Sequence, residues 1–315
     1  MVNFRFHLVS LTAVFLALAA GIVIGAGVVD RQTVDLLEGR LNQVERNRDR
    51  TNRENDELRA ENSTWARFGD QAGDRVVEDQ LAGATVLVVG IDGTPAETVM
   101  RLAQAFRAGG ATVDGTLWFR AKWRLADEEQ ARELADVLAA PPTMQPAELR
   151  DAALTRLGDE WGSGGGGGAL LTSLRDAAFV DFEPDATNTG AAITLEAVPR
   201  PGSVVVIVAA EDVDVPPVEL GIPLTVRLVE RGLPVLAAQP LPADEPTGEG
   251  EDTTPYVAAV RAEDDVAGRL STVDNVDDYR GRVAAVFAVA DLKRGRVGHY
   301  GVTPGAQRLV PEPIS

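Results

Sequence analysis

Residues 8–29 read LVSLTAVFLALAAGIVIGAGVV and carry no charged side chain. A helix rises about 1.5 Å per residue, so a run of this length spans the roughly 30 Å hydrocarbon core of a bilayer. Each Leu, Ile, Val or Phe near mid-membrane favours insertion by roughly 0.3–0.6 kcal/mol. The rest of the chain is polar and acidic. The sequence therefore predicts a transmembrane anchor over residues 1–30 that carries a large domain.

The length of this run bears on whether the segment is kept or cleaved. A secretory signal has an apolar core of about 7–15 residues followed by small residues at the cleavage site. Residues 25–27, Gly-Ala-Gly, offer such a site. However, the run is too long for a signal, and no turn separates it from the pattern that follows. We expect an uncleaved anchor.

The charges beside the span do not decide its orientation by themselves. Arg5 precedes the span, whereas Arg31 and Arg40 follow it closely. A very short basic N-terminus directly before the span is the usual layout of a signal anchor. We therefore expect a single-pass protein of the cell membrane with its N-terminus in the cytoplasm and its large C-terminal part outside.

Small residues recur every fourth position within the span and share one helix face. They are Ala13, Ala17, Gly21 and Gly25. Small residues let two membrane helices approach closely, which indicates pairing of two copies through this face. The alternative is chance, because Ala and Gly are common throughout this sequence.

A heptad pattern follows the span and predicts a coiled-coil stalk over residues 31–69. The apolar core positions of the pattern are Val34, Leu37, Leu41, Val44 and Leu58; the remaining core positions are Arg48, Thr51, Asn55, Asn62 and Trp65. Asn at the first core position favours two parallel strands. We expect a parallel homodimer through the stalk, with a solvated single helix as the alternative. Residues 69–73, which contain two glycines, are expected to end the helix.

The remaining chain, residues 75–310, is predicted to form one extracytoplasmic α/β domain. Apolar runs that read as buried strands alternate with amphipathic segments that read as helices, which indicates a mostly parallel sheet. Strands are expected at 84–91, 112–119, 203–209, 233–238 and 269–273. Helices are expected at 94–107, 127–139, 146–157, 170–180 and 279–293, and also over 216–231, at least in the second half of that segment. The glycine-rich run at residues 162–168 is expected to be a flexible loop.

Composition excludes several classes of function. The chain has 30 basic and 48 acidic residues, a net charge of −18, which argues against binding to nucleic acid or to anionic lipid surfaces. There is no cysteine, so disulfide frameworks, thiolate zinc sites and cysteine nucleophiles are excluded.

Motifs for catalysis are weak. Residues 90–93, Gly-Ile-Asp-Gly, follow the first strand of the domain but do not match G-x-G-x-x-G, and no phosphate-binding lysine follows. We interpret them as an ordinary turn between strand and helix. The chain has no G-x-S-x-G elbow, and His299 is the only histidine beyond the anchor. The sequence therefore predicts a protein that is not an enzyme.

Candidate metal ligands are few. Asp274, Asp277 and Asp278 cluster before the last helix, where carboxylates either bind a hard cation or cap the helix. His299 lies in the tight GHYG motif and is a candidate copper ligand, or else it packs the C-terminus onto the sheet. The soft ligands of the chain are scattered: Met1, His7, Met100, Met144 and His299.

Two segments carry a resemblance to a known family. Residues 7–27, HLVSLTAVFLALAAGIVIGAG, and residues 271–301, STVDNVDDYRGRVAAVFAVADLKRGRVGHYG, resemble the two ends of the MctB copper transporter family of actinobacteria. The resemblance implies a cell-envelope protein linked to copper export and homeostasis, with copper as the implied metal. It carries over no metal ligand to a named position.

The same family includes SteB-like members, which look like partners in envelope remodelling at division. The alternative function is therefore a scaffold that binds a division or cell-wall remodelling protein through its stalk or domain. The partners expected are the membrane, a second copy of the chain and another envelope protein.

Overall fold

The computed structural model describes residues 4–164, 166–187, 193–211, 213–241 and 255–312, with the side chains of residues 4 and 26–38 outside that description. The chain divides into two compact units, Met1–Trp65 and Ala66–Ser315.

The first unit consists of most of one long helix, α1 (Phe4–Val77). Within α1, Arg5–Gly25 is long and apolar enough to cross a membrane, and its side chains are exposed in the single chain. The apolar N-terminal helix predicted from the sequence is thus confirmed. The coiled coil needs a second copy and stays a prediction.

The predicted end of this helix at residues 69–73 is wrong, because α1 continues to Val77. The two glycines lie against the last helix of the domain instead of ending α1. A Cβ on Gly69 would collide with the ring of Tyr279, and a Cβ on Gly73 would lie 3.7 Å from Val283. Gly69 therefore serves close helix packing, whereas a Cβ at residue 73 would make an ordinary contact. A sequence pattern cannot distinguish a packing glycine from one that ends a helix.

The second unit contains a seven-stranded sheet with the strand order β3-β2-β1-β4-β5-β6-β7. Only the β2–β3 pair is antiparallel. The strands are β1 (Thr85–Ile91), β2 (Thr112–Phe119), β3 (Val180–Pro184), β4 (Val204–Val208), β5 (Val235–Ala238), β6 (Ser271–Val273) and β7 (His299–Tyr300). The prediction of a mostly parallel α/β sheet is confirmed.

Helices cover both faces of this sheet. They are α2 (Ala96–Ala108), α3 (Glu128–Leu138), α4 (Pro146–Gly162), α5 (Gly168–Asp176), α6 (Gly221–Glu230), α7 (Tyr256–Arg261), α8 (Asp264–Ala267) and α9 (Tyr279–Lys293). One core packs α3 to α8 against the sheet, and the other packs α2, α9 and the end of α1. Burial on both faces explains why the central strands read as unbroken apolar runs, such as Val204–Val208.

Two edge strands were missed from the sequence. Residues 170–180 were expected to be helical, yet α5 ends at Asp176 and β3 begins at Val180. The two-residue strand β7 was not expected at all. Both are short and lie at the edges of the sheet, so neither carries the apolar run that marks a central strand. The glycine-rich run largely connects α4 to α5, and its Gly165 lies outside the described residues.

Candidate functional site

Ligands of open α/β sheets usually bind at the carboxyl ends of the strands, where the strand order reverses. In this sheet the reversal lies between β1 and β4. Two hydrogen bonds of the chain with itself cross that crevice. The Thr94 hydroxyl accepts the amide of Ala210 at 3.1 Å, and the amide of Asp214 donates to the carbonyl of Asp92 at 3.0 Å. Of residues 90–93, Gly90 and Ile91 still belong to β1, and the turn toward α2 begins at Asp92, with Gly93 at a φ of 95°.

A polar cluster lies toward the β7 edge of the sheet, where β6 and β7 meet α7. Asp274 follows β6 directly, and its buried carboxylate pairs with the guanidinium of Arg261 at 3.0 Å. The same carboxylate accepts the amide of Val302 and the hydroxyl of Thr303, each at 2.6 Å. A Cβ on Gly301 would collide with this carboxylate, so the C-terminal loop can approach it only with glycine there.

Arg261 is the centre of this cluster. Its Nη2 donates to the carbonyl of Tyr300 at 2.8 Å, and its Nε donates to the hydroxyl of Thr272 at 2.8 Å. Its Nη1 donates to the hydroxyl of Thr303 at 3.1 Å. Burial lowers the pKa of Arg261, and the hydrogen bond with Asp274 opposes that shift. One guanidinium therefore joins α7 to β6, β7 and the loop after β7.

His299 lies on β7 at the border of the cluster. Its Nδ1 lies 3.1 Å from the hydroxyl oxygen of Thr272. That oxygen already accepts a hydrogen bond from Nε of Arg261, and its own O–H can donate to an unprotonated Nδ1 of the histidine. Burial and the charge of Arg261 both lower the pKa of His299. The histidine is held neutral and oriented by its neighbours.

The other two candidate carboxylates have separate tasks. Asp277 accepts the amide of Leu241 at 2.8 Å. Asp278 caps α9 by accepting the amide of Arg280 at 2.7 Å, and it also pairs with the Arg280 guanidinium at 2.9 Å. Burial raises the pKa of Asp278, but the hydrogen bonds from Arg280 outweigh it and lower the pKa overall.

The structure thus brings Asp274 and His299 together around Arg261 and Thr272, and leaves Asp277 and Asp278 outside the cluster. In the described part of the chain, no group of three or more His, Cys, Asp or Glu residues is placed to hold a metal ion. Sequence reasoning missed Arg261 and Thr272. The only available signal was a lone arginine at the end of the apolar segment YVAAVR.

The candidate residues of α1 lie on exposed faces of a single chain. No atom lies within 4 Å of a Cβ placed on Gly21 or Gly25, and Ala13 and Ala17 are exposed as well. Leu41, Val44 and Leu58 are 61%, 63% and 56% exposed. The side chains of Val34 and Leu37 lie outside the described residues.

Comparison with known proteins gives matches along almost the whole chain. Residues 1–311 match the family described as "Copper transport outer membrane protein, MctB". The copper transporter MctB of Mycobacterium tuberculosis H37Rv is 28% identical over 341 aligned residues, which cover 98% of this chain and 99% of that protein. The copper transporter MctB of Mycobacterium leprae is 27% identical over 345 residues, which cover 99% of this chain and 100% of that protein.

Proposed function

Because this chain belongs to the MctB family, we propose that it is a membrane-anchored protein of the cell envelope that takes part in copper export and copper homeostasis. The observation that carries the proposal is the match over residues 1–311, which includes the apolar helix, the long helix and the α/β domain together. The relatives at 27–28% identity are also matched over nearly their full length.

In this proposal the protein is a transport component and not an enzyme. Its relatives are named as transporters. The crevice at the strand reversal, where an α/β enzyme would bind its ligand, is crossed by the hydrogen bonds of Thr94 and Asp214.

The proposed topology combines the one membrane-length apolar helix of the described residues with the short basic segment that precedes it. Arg5–Gly25 crosses the cytoplasmic membrane, the N-terminus lies in the cytoplasm, and Ala66–Ser315 lies outside. One helix cannot line a pore alone. We therefore include association of at least two copies through α1, which the heptad positions and the small-residue face would support.

A scaffold that binds a division or cell-wall remodelling protein is the second candidate. The scaffold is favoured because the candidate metal ligands already have protein partners. The carboxylate of Asp274 is paired with Arg261 and accepts the hydroxyl of Thr303, and Asp278 caps α9. Copper handling by this chain would then depend on a partner protein.

Deletion of the gene, followed by complementation with the full chain, tests the proposal. If the chain supports export, the deletion strain should accumulate several-fold more cell-associated copper when grown with added copper, and the full chain should restore the parental level. Unchanged copper content together with a defect in cell shape or septum formation would contradict the proposal and support the scaffold.

Copper analysis of the purified full chain separates a direct role from an indirect one. Stoichiometric copper retained after dialysis supports binding by the chain itself. Copper-free protein from a strain in which complementation succeeds assigns binding to a partner.

A further inference from the structure

The last three turns of α1 lie across α9 within the unit Ala66–Ser315. The contact depends on small residues. Gly69 lies directly against the ring of Tyr279, and a Cβ at this position would overlap the ring atoms. One turn later, Gly73 lies beside Val283. At Gly69 the backbone of α1 can therefore approach α9 more closely than a helix with a side chain at this position.

Charged groups secure the same segment. Asp70 pairs with Arg282 of α9, whose side chain is only 9% exposed, and lies 3.5 Å from the guanidinium of Arg101 on α2. Arg282 also donates to the carbonyl of Asp277 at 2.6 Å, immediately before α9. A single carboxylate thus links α1 to the two helices that flank it.

Apolar burial contributes little to this attachment. Among residues 66–76, all of which the structure describes, only Gly69 is buried. Among the described side chains of α1, the first large one that is buried is Val77, and Leu81 follows it. A cavity of about 350 Å³ lies between α1, α2 and α9, with Met100 and Asp74 in its lining. A segment with few buried apolar contacts opens at a lower free energy than the domain core.

We propose that residues 66–76 form a releasable strap. In the seated state, Gly69 covers Tyr279, and Asp70 pairs with Arg282 and Arg101. In the released state, the strap leaves α9, whereas Val77 and Leu81 stay in the core and the sheet stays folded. The strap comprises the first residues of the unit Ala66–Ser315. When it is released, the first residues that pack against the rest of this unit are Val77 and those after it.

Native-state hydrogen exchange of the full chain in detergent micelles tests the strap. The amides of residues 66–76 should exchange through a local opening, much faster than those of the central strand Val204–Val208. Asp70→Asn should speed exchange in residues 66–76 about tenfold by removing a charge-assisted pair, without changing the exchange of β4. Asp74→Asn is the matched control one turn further along α1 and should leave both rates unchanged.

A set of glycine variants tests the contact itself. Gly69→Ala should speed exchange of residues 66–76 in the parent chain but not in a Tyr279→Ala background, where the ring that opposes the new Cβ is absent. Gly39→Ala is the control on the same helix, because nothing lies within 4 Å of a Cβ there.

Three results would overturn the strap. One is exchange of residues 66–76 only at the rate of β4, which would make the segment part of the core. Another is an equal effect of Asp70→Asn and Asp74→Asn. The last is an effect of Gly69→Ala that does not depend on the Tyr279 ring.

Discussion

The side chains of Asp274 and Arg261 are only 2% and 6% exposed. The carboxylate of the one is the principal countercharge of the guanidinium of the other. Removing two charges from water costs free energy, and a buried pair is stable when neighbouring groups supply further hydrogen bonds. Here Thr303, Val302 and Thr272 supply those bonds. At the scale of single residues, the cluster holds the C-terminal loop against β6 and β7, and His299 lies at its border.

Removal of the Asp274 charge should therefore be costly. Asp274→Asn leaves a buried guanidinium without its countercharge, and we expect a loss of about 3–5 kcal/mol in the free energy of unfolding. Chemical denaturation of the full chain in detergent measures this loss. Asp277→Asn is the control, because Asp277 is exposed and accepts one backbone amide; it should cost about 1 kcal/mol or less. Equal losses in the two variants would contradict a buried ion pair.

His299 has two readings that one pair of variants separates. For a copper ligand, His299→Gln and His299→Ala should both stay folded and both lose copper tolerance in cells. For a packing residue, the alanine variant should melt at a lower temperature, and copper tolerance should fall only as far as the protein level falls. The contact of Nδ1 with Thr272 leads us to expect the second result. If both variants are stable and copper tolerance is unchanged, neither role holds.

The lowered pKa of His299 predicts a pH dependence of stability. In the unfolded chain a histidine titrates near its ordinary pKa of about 6.5. Burial and Arg261 favour the neutral ring in the folded chain, so the unfolded state binds the proton more readily. The contribution of His299 is complete above about pH 6.5 and declines as the pH falls toward the lower folded pKa.

Denaturation at pH 7.5 and pH 5.5 measures this effect. The stability advantage of the parent over His299→Gln should shrink at the lower pH, since both proteins share their titrating carboxylates. A constant difference between the two proteins would show that His299 is not desolvated.

At the scale of elements, α1 contains two segments whose surroundings in the structure differ. The heptad positions from Leu41 to Leu58, whose side chains the structure describes, are exposed in the single chain. Further along, Gly69 faces Tyr279 of the same chain. A two-helix seam that includes residue 69 would compete with this contact. We therefore expect any parallel dimer contact of α1 to end before Gly69.

Charged residues in the heptad core should abolish the proposed dimer. Leu41→Asp together with Leu58→Asp would place carboxylates in an apolar seam, at a cost of several kcal/mol. Crosslinking of the full chain in detergent should then give monomer in place of dimer. The matched control is Asn42→Asp with Ala60→Asp, which adds the same charge outside the core positions. A parent chain that is monomeric at high concentration would contradict association through the stalk.

At the scale of the whole molecule, the proposed single-pass topology places the N-terminus and the α/β domain on opposite sides of the membrane. The chain has no cysteine, so one introduced thiol reports its own location. Glu129→Cys, at an exposed position of α3, should react with a membrane-impermeant maleimide in intact spheroplasts. Asn3→Cys should react only after lysis and serves as the control. Protection of residue 129 together with labelling of residue 3 in intact spheroplasts would show that the orientation is the opposite of the one proposed.

The sequence by itself determined the apolar helix and the class of the domain. The uncharged run of residues 8–29 and apolar strands such as Val204–Val208 are local patterns in the sequence. Because a parallel sheet is buried on both faces, its central strands are unbroken apolar runs that the sequence alone can identify. The capping role of Asp278 was among the readings open from the sequence, because an N-cap contacts an amide only two or three residues away.

Only the tertiary structure decided the roles of Arg261, Gly69 and Asp274. Arg261 reaches Asp274 and Tyr300 across two neighbouring strands, and Asp70 reaches Arg282 across most of the chain. Gly69 reads as a helix breaker until the ring of Tyr279 is placed against it. These partners are distant in sequence and are brought together by sheet order and helix packing. A single sequence carries no local record of that proximity, because residue spacing along the chain specifies only neighbours on the same element.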